Sequence, residues 1–153
     1  MSLLQPKKLK YRKCMKGRIR GKASKGYNLA FGEWGLKVLE PARISARQIE
    51  ACRLTIIRSL PSSAKFWLRI FPSRPVTKKP AETRMGGGKG DVIGYEARVK
   101  AGTVLFEIGG VSEKDALSAL KLASDKLEYK TAIVSKNPWI EILKAKEESA
   151  SVS

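Results

Sequence analysis

The sequence predicts an α+β domain that carries a basic extension. Three observations support this. The order strand, strand, helix, strand occurs twice, over residues 28–71 and 92–135. Each helix opens on a serine with a polar partner three residues on, and a basic, glycine-rich stretch separates the two halves. Two β-β-α-β halves imply a small sheet with two helices laid on it. Residues 27–135 form this domain, with the loop 72–91 inserted between halves, residues 1–26 as the basic extension and 136–153 as a C-terminal tail.

In the first half, Asn28 to Phe31 and Leu36 to Leu39 are short apolar stretches parted by Gly32 and Gly35, the pattern of a hairpin. Ser45-Ala46-Arg47-Gln48 then reads as a capping box, in which serine and glutamine side chains satisfy exposed backbone donors. The helix that follows carries Ile49, Cys52, Ile56, Ile57 and Leu60 at helical spacing, and Pro61 ends it. Arg47 and Arg58 are eleven residues apart, about three turns, and share a face that either meets phosphate or is simply solvated. Lys65 to Phe71 is a buried strand with Phe66, Leu68 and Ile70 on one side and Trp67, Arg69 and Phe71 on the other. An arginine between two aromatics is either a stacking surface for bases or part of a strand pressed between sheet and helix.

The second half opens on Val92 to Lys100 and Thr103 to Ile108, joined by Ala101-Gly102 as a hairpin. Tyr95, Ala97 and Val99 alternate with Glu96, Arg98 and Lys100, which suits a sheet with one wet face. Ser112-Glu113-Lys114-Asp115 caps a second helix whose apolar stripe is Ala116, Ala119, Leu120, Ala123 and Leu127. Thr131 to Val134 returns as a strand. The halves share an order of elements but no sequence repeat. The tail is mixed in charge and frays.

Charge narrows the function. Thirty-one basic residues against fourteen acidic leave +17 on 153 residues. The first twenty-six residues hold ten of the cations, Lys7, Lys8, Lys10, Arg12, Lys13, Lys16, Arg18, Arg20, Lys22 and Lys25, and no acid. Such a segment buries too little apolar surface to offset its ordering entropy, so it needs a polyanion to settle against. Tyr11 and the glycines at 17, 21 and 26 let the backbone follow one, and nucleic acid fits best.

Other classes fare worse. No apolar run approaches the roughly twenty residues that span a bilayer. The basic start lacks the hydrophobic stretch of a signal peptide, and its scattered Leu9, Met15 and Ile19 make no amphipathic transit helix. Cys14 and Cys52, thirty-eight positions apart with no histidine in the chain, form no metal pattern and read as free thiols of an intracellular protein. Without histidine, and with its carboxylates dispersed, the chain lacks the usual means of acid–base catalysis near neutral pH. An enzyme that modifies or processes RNA with the same basic surface is the alternative, and it would need a pocket with a positioned acid, base or metal.

Pro72 to Asp91 shows no hydrophobic period and carries Arg74, Lys78, Lys79, Arg84 and Lys89 against Glu82 and Asp91. A loop this long in a small domain is usually functional or disordered, and its basic, glycine-rich content favours function. At its centre is Arg84-Met85-Gly86-Gly87-Gly88-Lys89-Gly90, where glycines permit positive φ and bring N–H groups close to an anion. It is not a nucleotide-binding P-loop, since Gly90 stands where Ser or Thr must hold magnesium and a strand, not a helix, follows.

Several of these segments, in order and spacing, resemble the ribosomal protein L-sixteen family of the large subunit. They are Leu4-Gln5-Pro6-Lys7, Lys10-Tyr11-Arg12-Lys13, Lys16-Gly17-Arg18, Phe31-Gly32, the stretch from Ala46 to Ala51, Trp67 to Pro72, Pro75 to Pro80 and the glycine loop. Gly87 stands where that family usually has lysine, and the tail after Val134 is longer than usual. The resemblance implies an α/β hammerhead-like fold and a structural, non-catalytic component of bacterial-type ribosomes, in a bacterial cytoplasm or an organelle. It implies large-subunit rRNA, tRNA and neighbouring ribosomal proteins as partners, with no cofactor, membrane or small-molecule substrate. The glycine loop, Arg84, Met85, Gly86, Gly87, Gly88, Lys89 and Gly90, is then expected to face tRNA and the peptidyl-transferase region on the A-site side, which the protein helps to order late in assembly. The residues expected on rRNA are Lys7, Lys8, Lys10, Tyr11, Arg12, Lys13, Lys16, Arg18, Arg20, Lys22, Arg47, Arg58, Arg69, Arg74, Lys78 and Lys79.

Overall fold

The computed structural model describes residues 4–136; the tail from 137 and the first three residues lie outside the described part. In chain order the elements are β1 (Trp34–Val38), β2 (Ala42–Ser45), α1 (Ala46–Ser59), β3 (Lys65–Leu68) and β4 (Arg74–Lys78). β5 (Asp91–Val99), β6 (Val104–Gly109), α2 (Glu113–Ser124) and β7 (Thr131–Ser135) follow. The class is α+β, as expected, but the strands form two antiparallel sheets, β3-β6-β1-β7 and β2-β5-β4.

Both helices start where the sequence places them. Ser45 Oγ accepts from Gln48 N at 3.2 Å and Gln48 Oε1 accepts from Ser45 N at 2.9 Å, which completes the capping box of α1. Ser112 Oγ accepts from Asp115 N at the start of α2. Ile49, Cys52 and Ile56 are buried, whereas Ile57, expected inside, is 45% exposed. The reason lies in the packing: α1 leans on α2 as well as touching β2 and β5, and one stripe suffices for that packing. α2 in turn touches β1 and β7, so each helix lies against one sheet and the two helices meet.

Five expectations about strands need correction. Residues 28–31 form no strand, because the N–H groups of Ala30, Phe31 and Gly32 all turn to the carboxylate of Glu107. The hairpin expected between residues 28–31 and 36–39 is therefore absent, and β2 is a strand that the sequence pattern did not announce. After Val38 the chain is drawn off by Leu39 N donating to Lys130 O at 2.9 Å and by Glu40 Oε1 accepting from Lys130 N, and β2 pairs with β5 instead. β5 and β6, joined by Gly102 at φ 91°, also enter different sheets. β6 is buried at all six positions and takes β1 and β3 as neighbours, so it has no wet face to share with β5. Finally, residues 74–78 of the supposed loop are β4. Pro75 is tolerated there because β4 is the edge of its sheet. The irregular loop is therefore residues 79–90. The strand expected over 65–71 ends at Leu68, although Arg69 N still donates to Leu105 O at 3.0 Å.

Cys52 Sγ donates to Ala123 O at 3.5 Å across the helix pair, and burial pushes its thiol up to about 11 from an ordinary value near 9. The folded thiol thus keeps its proton to higher pH than the unfolded one. Its contribution to stability is full below about pH 9 and is lost as pH rises through about 11. Urea midpoints between pH 8 and 11 are expected to fall more steeply for the native chain than for Cys52→Ala. Parallel curves would show that the thiol stays neutral in both states.

Candidate nucleic-acid interface

The arm from residue 4 contains no helix or ladder, only an isolated bridge between Lys22 and Ala101. Yet it lies along the domain, fastened mainly through its backbone. Ala23 N donates to Ala101 O at 2.8 Å, and Gly26 O accepts from Val104 N at 2.9 Å. Arg43 Nη2 donates to Gly17 O at 2.6 Å and to Lys16 O at 3.4 Å. Leu4 packs against the edge of the core. Because carbonyls make most of these contacts, the side chains of Lys7, Lys8, Lys10, Tyr11, Arg12, Lys16, Arg18, Arg20 and Lys22 remain exposed. A cation-rich ridge bound by its backbone is well arranged to track a phosphate chain.

Arm and loop meet at a lysine exchange. Lys13 Nζ donates to Lys89 O at 2.8 Å and lies 3.5 Å from Asp91, while Lys89 Nζ donates to Cys14 O. Lys89 therefore points back to the arm, not outward from the loop. Beyond it, residues 81–89 are all exposed, and Met85 is 99% so. Gly86, Gly87 and Gly88 have φ of 101°, 66° and 86°, the left-handed region that favours glycine. Lys79 Nζ donates to Gly86 O and braces the turn from inside. Gly90 closes the base, where a Cβ would come within 2.6 Å of Lys78 O. Arg84 stands exposed beside this turn.

The other candidate residues divide. Arg47 is exposed at the start of α1, where with Arg12, Val76 and Tyr95 it lines a cleft of about 690 Å³. Arg58 is exposed in the last turn of α1, where its charge also suits the helix dipole. Lys78 is exposed at the end of β4 and Lys79 is half-buried. Arg69 is turned inward: its guanidinium pairs with fully buried Glu107 and lies 5.2 Å from the Phe31 ring centre. Arg74 stands 3.9 Å from Glu96.

Three features escaped the sequence reading. Phe31, 61% exposed, stacks on Trp67 at 6.2 Å. Glu107 gathers a guanidinium and three backbone donors, and its only trace in the sequence is an acid inside the apolar run Val104 to Ile108. Arg43 and Arg98 face each other across β2 and β5, a pairing that no local pattern announces.

Comparison with known proteins agrees with the geometry. The family model described as ribosomal protein L16p/L10e matches residues 6–134. A protein of Sulfurihydrogenibium sp. (strain YO3AOP1) named large ribosomal subunit protein uL16 is 56% identical over 134 residues, covering 88% of this chain and 97% of its own length. Proteins of the same name from Allorhizobium ampelinum and Pseudothermotoga lettingae are 54% and 53% identical, each over 88% of this chain and over 98% and 95% of their own lengths. An exposed basic arm and a glycine-turned loop on an α+β domain, matched over this span, lead to one conclusion: the chain belongs to the ribosomal protein L16p/L10e family.

Proposed function

We propose that this protein is a structural constituent of the large ribosomal subunit. In this reading it binds large-subunit rRNA through its arm and the exposed cations Arg47, Arg58 and Lys78, beside neighbouring ribosomal proteins, and aims loop 79–90 at tRNA near the A site and peptidyl-transferase region. Supporting late subunit assembly follows from that position, in a bacterial cytoplasm or an organelle with bacterial-type ribosomes. The observation that carries the reading is the loop itself. Three successive glycines at positive φ hold an exposed turn free of side chains, with Arg84 beside it. Such a turn approaches RNA closely, and a guanidinium offers it a planar fork for phosphate or a stacking face for a base. The arm supplies affinity without sequence specificity, since phosphate contacts position and do not read bases.

Large subunits reconstituted with loop variants test this. Arg84→Lys keeps the charge but loses the fork, and is expected to weaken A-site tRNA binding about tenfold, the worth of one charge-assisted hydrogen bond, while leaving incorporation into subunits intact. Gly88→Val forces a β-branched residue to φ near 86° and should cost about 1–3 kcal/mol of loop order. If Arg84→Ala subunits bind tRNA and form peptide bonds at native rates, the loop is a passive tether and this role is wrong.

A further inference from the structure

One face of the sheet β2-β5-β4 carries a charge imbalance that the described residues do not resolve. Cross-strand register places Arg43 opposite Arg98, Ser45 opposite Glu96, and Glu96 opposite Arg74. The alternate residues Ala42, Ile44, Ala97 and Val99 are buried on the other face, so these polar residues share the face beneath the arm. Like charges directly opposite on neighbouring strands repel. Glu96 is the acid of this face, and it stands 3.9 Å from Arg74. Arg43 and Arg98 meet neutral backbone instead. Arg43 donates to the carbonyls of Lys16 and Gly17, and the guanidinium nitrogens of Arg98 lie 3.5 and 3.6 Å from where a Cβ would stand on Gly17.

The Nε of Arg98 is buried and has no hydrogen-bond partner among the described residues. A buried donor on a charged group is costly when unmet. Arg43 is also held in place: the Tyr129 hydroxyl accepts from its N–H at 3.2 Å and donates to its carbonyl at 3.1 Å, which fastens the open edge of β2. Two guanidinium groups fixed on strands and converging on one glycine are pre-organised for an anion that accepts from both. Arg43 borders a cleft of about 410 Å³ with Lys16, Arg74, Lys89 and the carboxylate of Glu96, and Arg98 borders a second one of about 360 Å³.

We propose that Arg43 and Arg98 bind one phosphate of an RNA backbone, seated beside Gly17 where the two guanidinium groups converge. A tetrahedral phosphate offers oxygens to two planar forks at once, which a single carbonyl does not. A diester of RNA fits better than a free anion because Lys16, Arg18 and Arg20 stand exposed on the same stretch of arm and can meet further phosphates of the same strand. The inference rests on the RNA-binding reading above and adds to it a site between the sheet and the arm.

The test uses the full chain and the ¹⁵N spectra of arginine Nε–H groups, with the Arg98 signal identified by its disappearance in Arg98→Lys. Inorganic phosphate and a short single-stranded RNA of mixed sequence are titrated separately. The Arg98 and Arg43 signals are expected to move with both probes. Arg98→Leu should bind the RNA about tenfold more weakly at low salt, with the slope of log K against log[salt] reduced by about 0.7. Arg98→Lys should keep the slope and lose part of the affinity. An unmoved Arg98 signal in the native chain, together with a native slope in Arg98→Leu, overturns the inference while leaving RNA binding intact. Movement with phosphate but not with RNA also overturns it, as a site for a free anion. Failure of the native chain to bind RNA at all would instead sink the wider reading.

Discussion

Glu107→Ala is expected to destabilise the domain by about 3–5 kcal/mol, the usual cost of removing one partner from a buried ion pair. The carboxylate is 0% exposed on the central strand β6. Its Oε2 accepts from Phe31 N at 2.7 Å and Gly32 N at 2.8 Å, both oxygens accept from Ala30 N at 3.2 Å, and the Arg69 guanidinium completes the shell. Removing the carboxylate leaves a half-buried guanidinium and three N–H groups without their acceptor. Gly32 cannot easily shift to compensate, since even a Cβ there would stand 2.5 Å from Ile108 O. Urea unfolding of Glu107→Ala, Arg69→Ala and the double variant measures the coupling. The double variant should cost clearly less than the sum of the two, because the pair can be broken only once. A Glu107→Ala penalty below about 1 kcal/mol would mean that water already serves these donors. The consequence reaches function, because residues 30–32 carry the arm into the domain and Arg69 holds the exposed Phe31 ring.

Deleting residues 1–20 is expected to produce the largest change in RNA binding. The deletion removes Lys7, Lys8, Lys10, Arg12, Lys13, Lys16, Arg18 and Arg20 but spares the backbone hydrogen bonds of Ala23 and Gly26. Every phosphate that the arm no longer neutralises should reduce the slope of log K against log[salt] by about 0.9 on duplex and 0.7 on single strands. If all eight cations meet phosphate, the slope falls by roughly 6–7 units and the steep weakening between low and physiological salt largely disappears. The truncated domain should still unfold cooperatively, since among the described residues of the deleted stretch only Leu4 packs against the core. In the free native chain, amide exchange over residues 4–22 should be fast, and it should slow on RNA. An unchanged salt slope after truncation would place the phosphate-binding cations elsewhere on the protein.

What the sequence determined alone lies within a few residues of itself. Ser45 with Gln48, and Ser112 with Asp115, set the helix starts because a capping bond spans one turn. The stripe of Ile49, Cys52 and Ile56 set the buried side of α1, and the exposed cations of the arm follow from composition, since Lys and Arg stay in water unless paired. The three glycines of the loop likewise signalled a turn that their positive φ values display. The resemblance to a known family reached further than these local rules, and the matched residues 6–134 agree with it. Pairing was a different matter. β1 joins β6 and β7, and the unannounced β2 joins β5, across long stretches of chain, so adjacency in sequence misled at both supposed hairpins, 28–39 and 92–108. β4 stayed hidden because Arg74 and Pro75 spoil an apolar alternation that an edge strand does not need. Arg69 with Glu107, and Arg43 with Arg98, became partners only when the sheets closed. Local hydrogen bonding and side-chain preference act over a turn or a strand, whereas strand order is chosen by which faces can be buried together, and only the whole chain in three dimensions decides that.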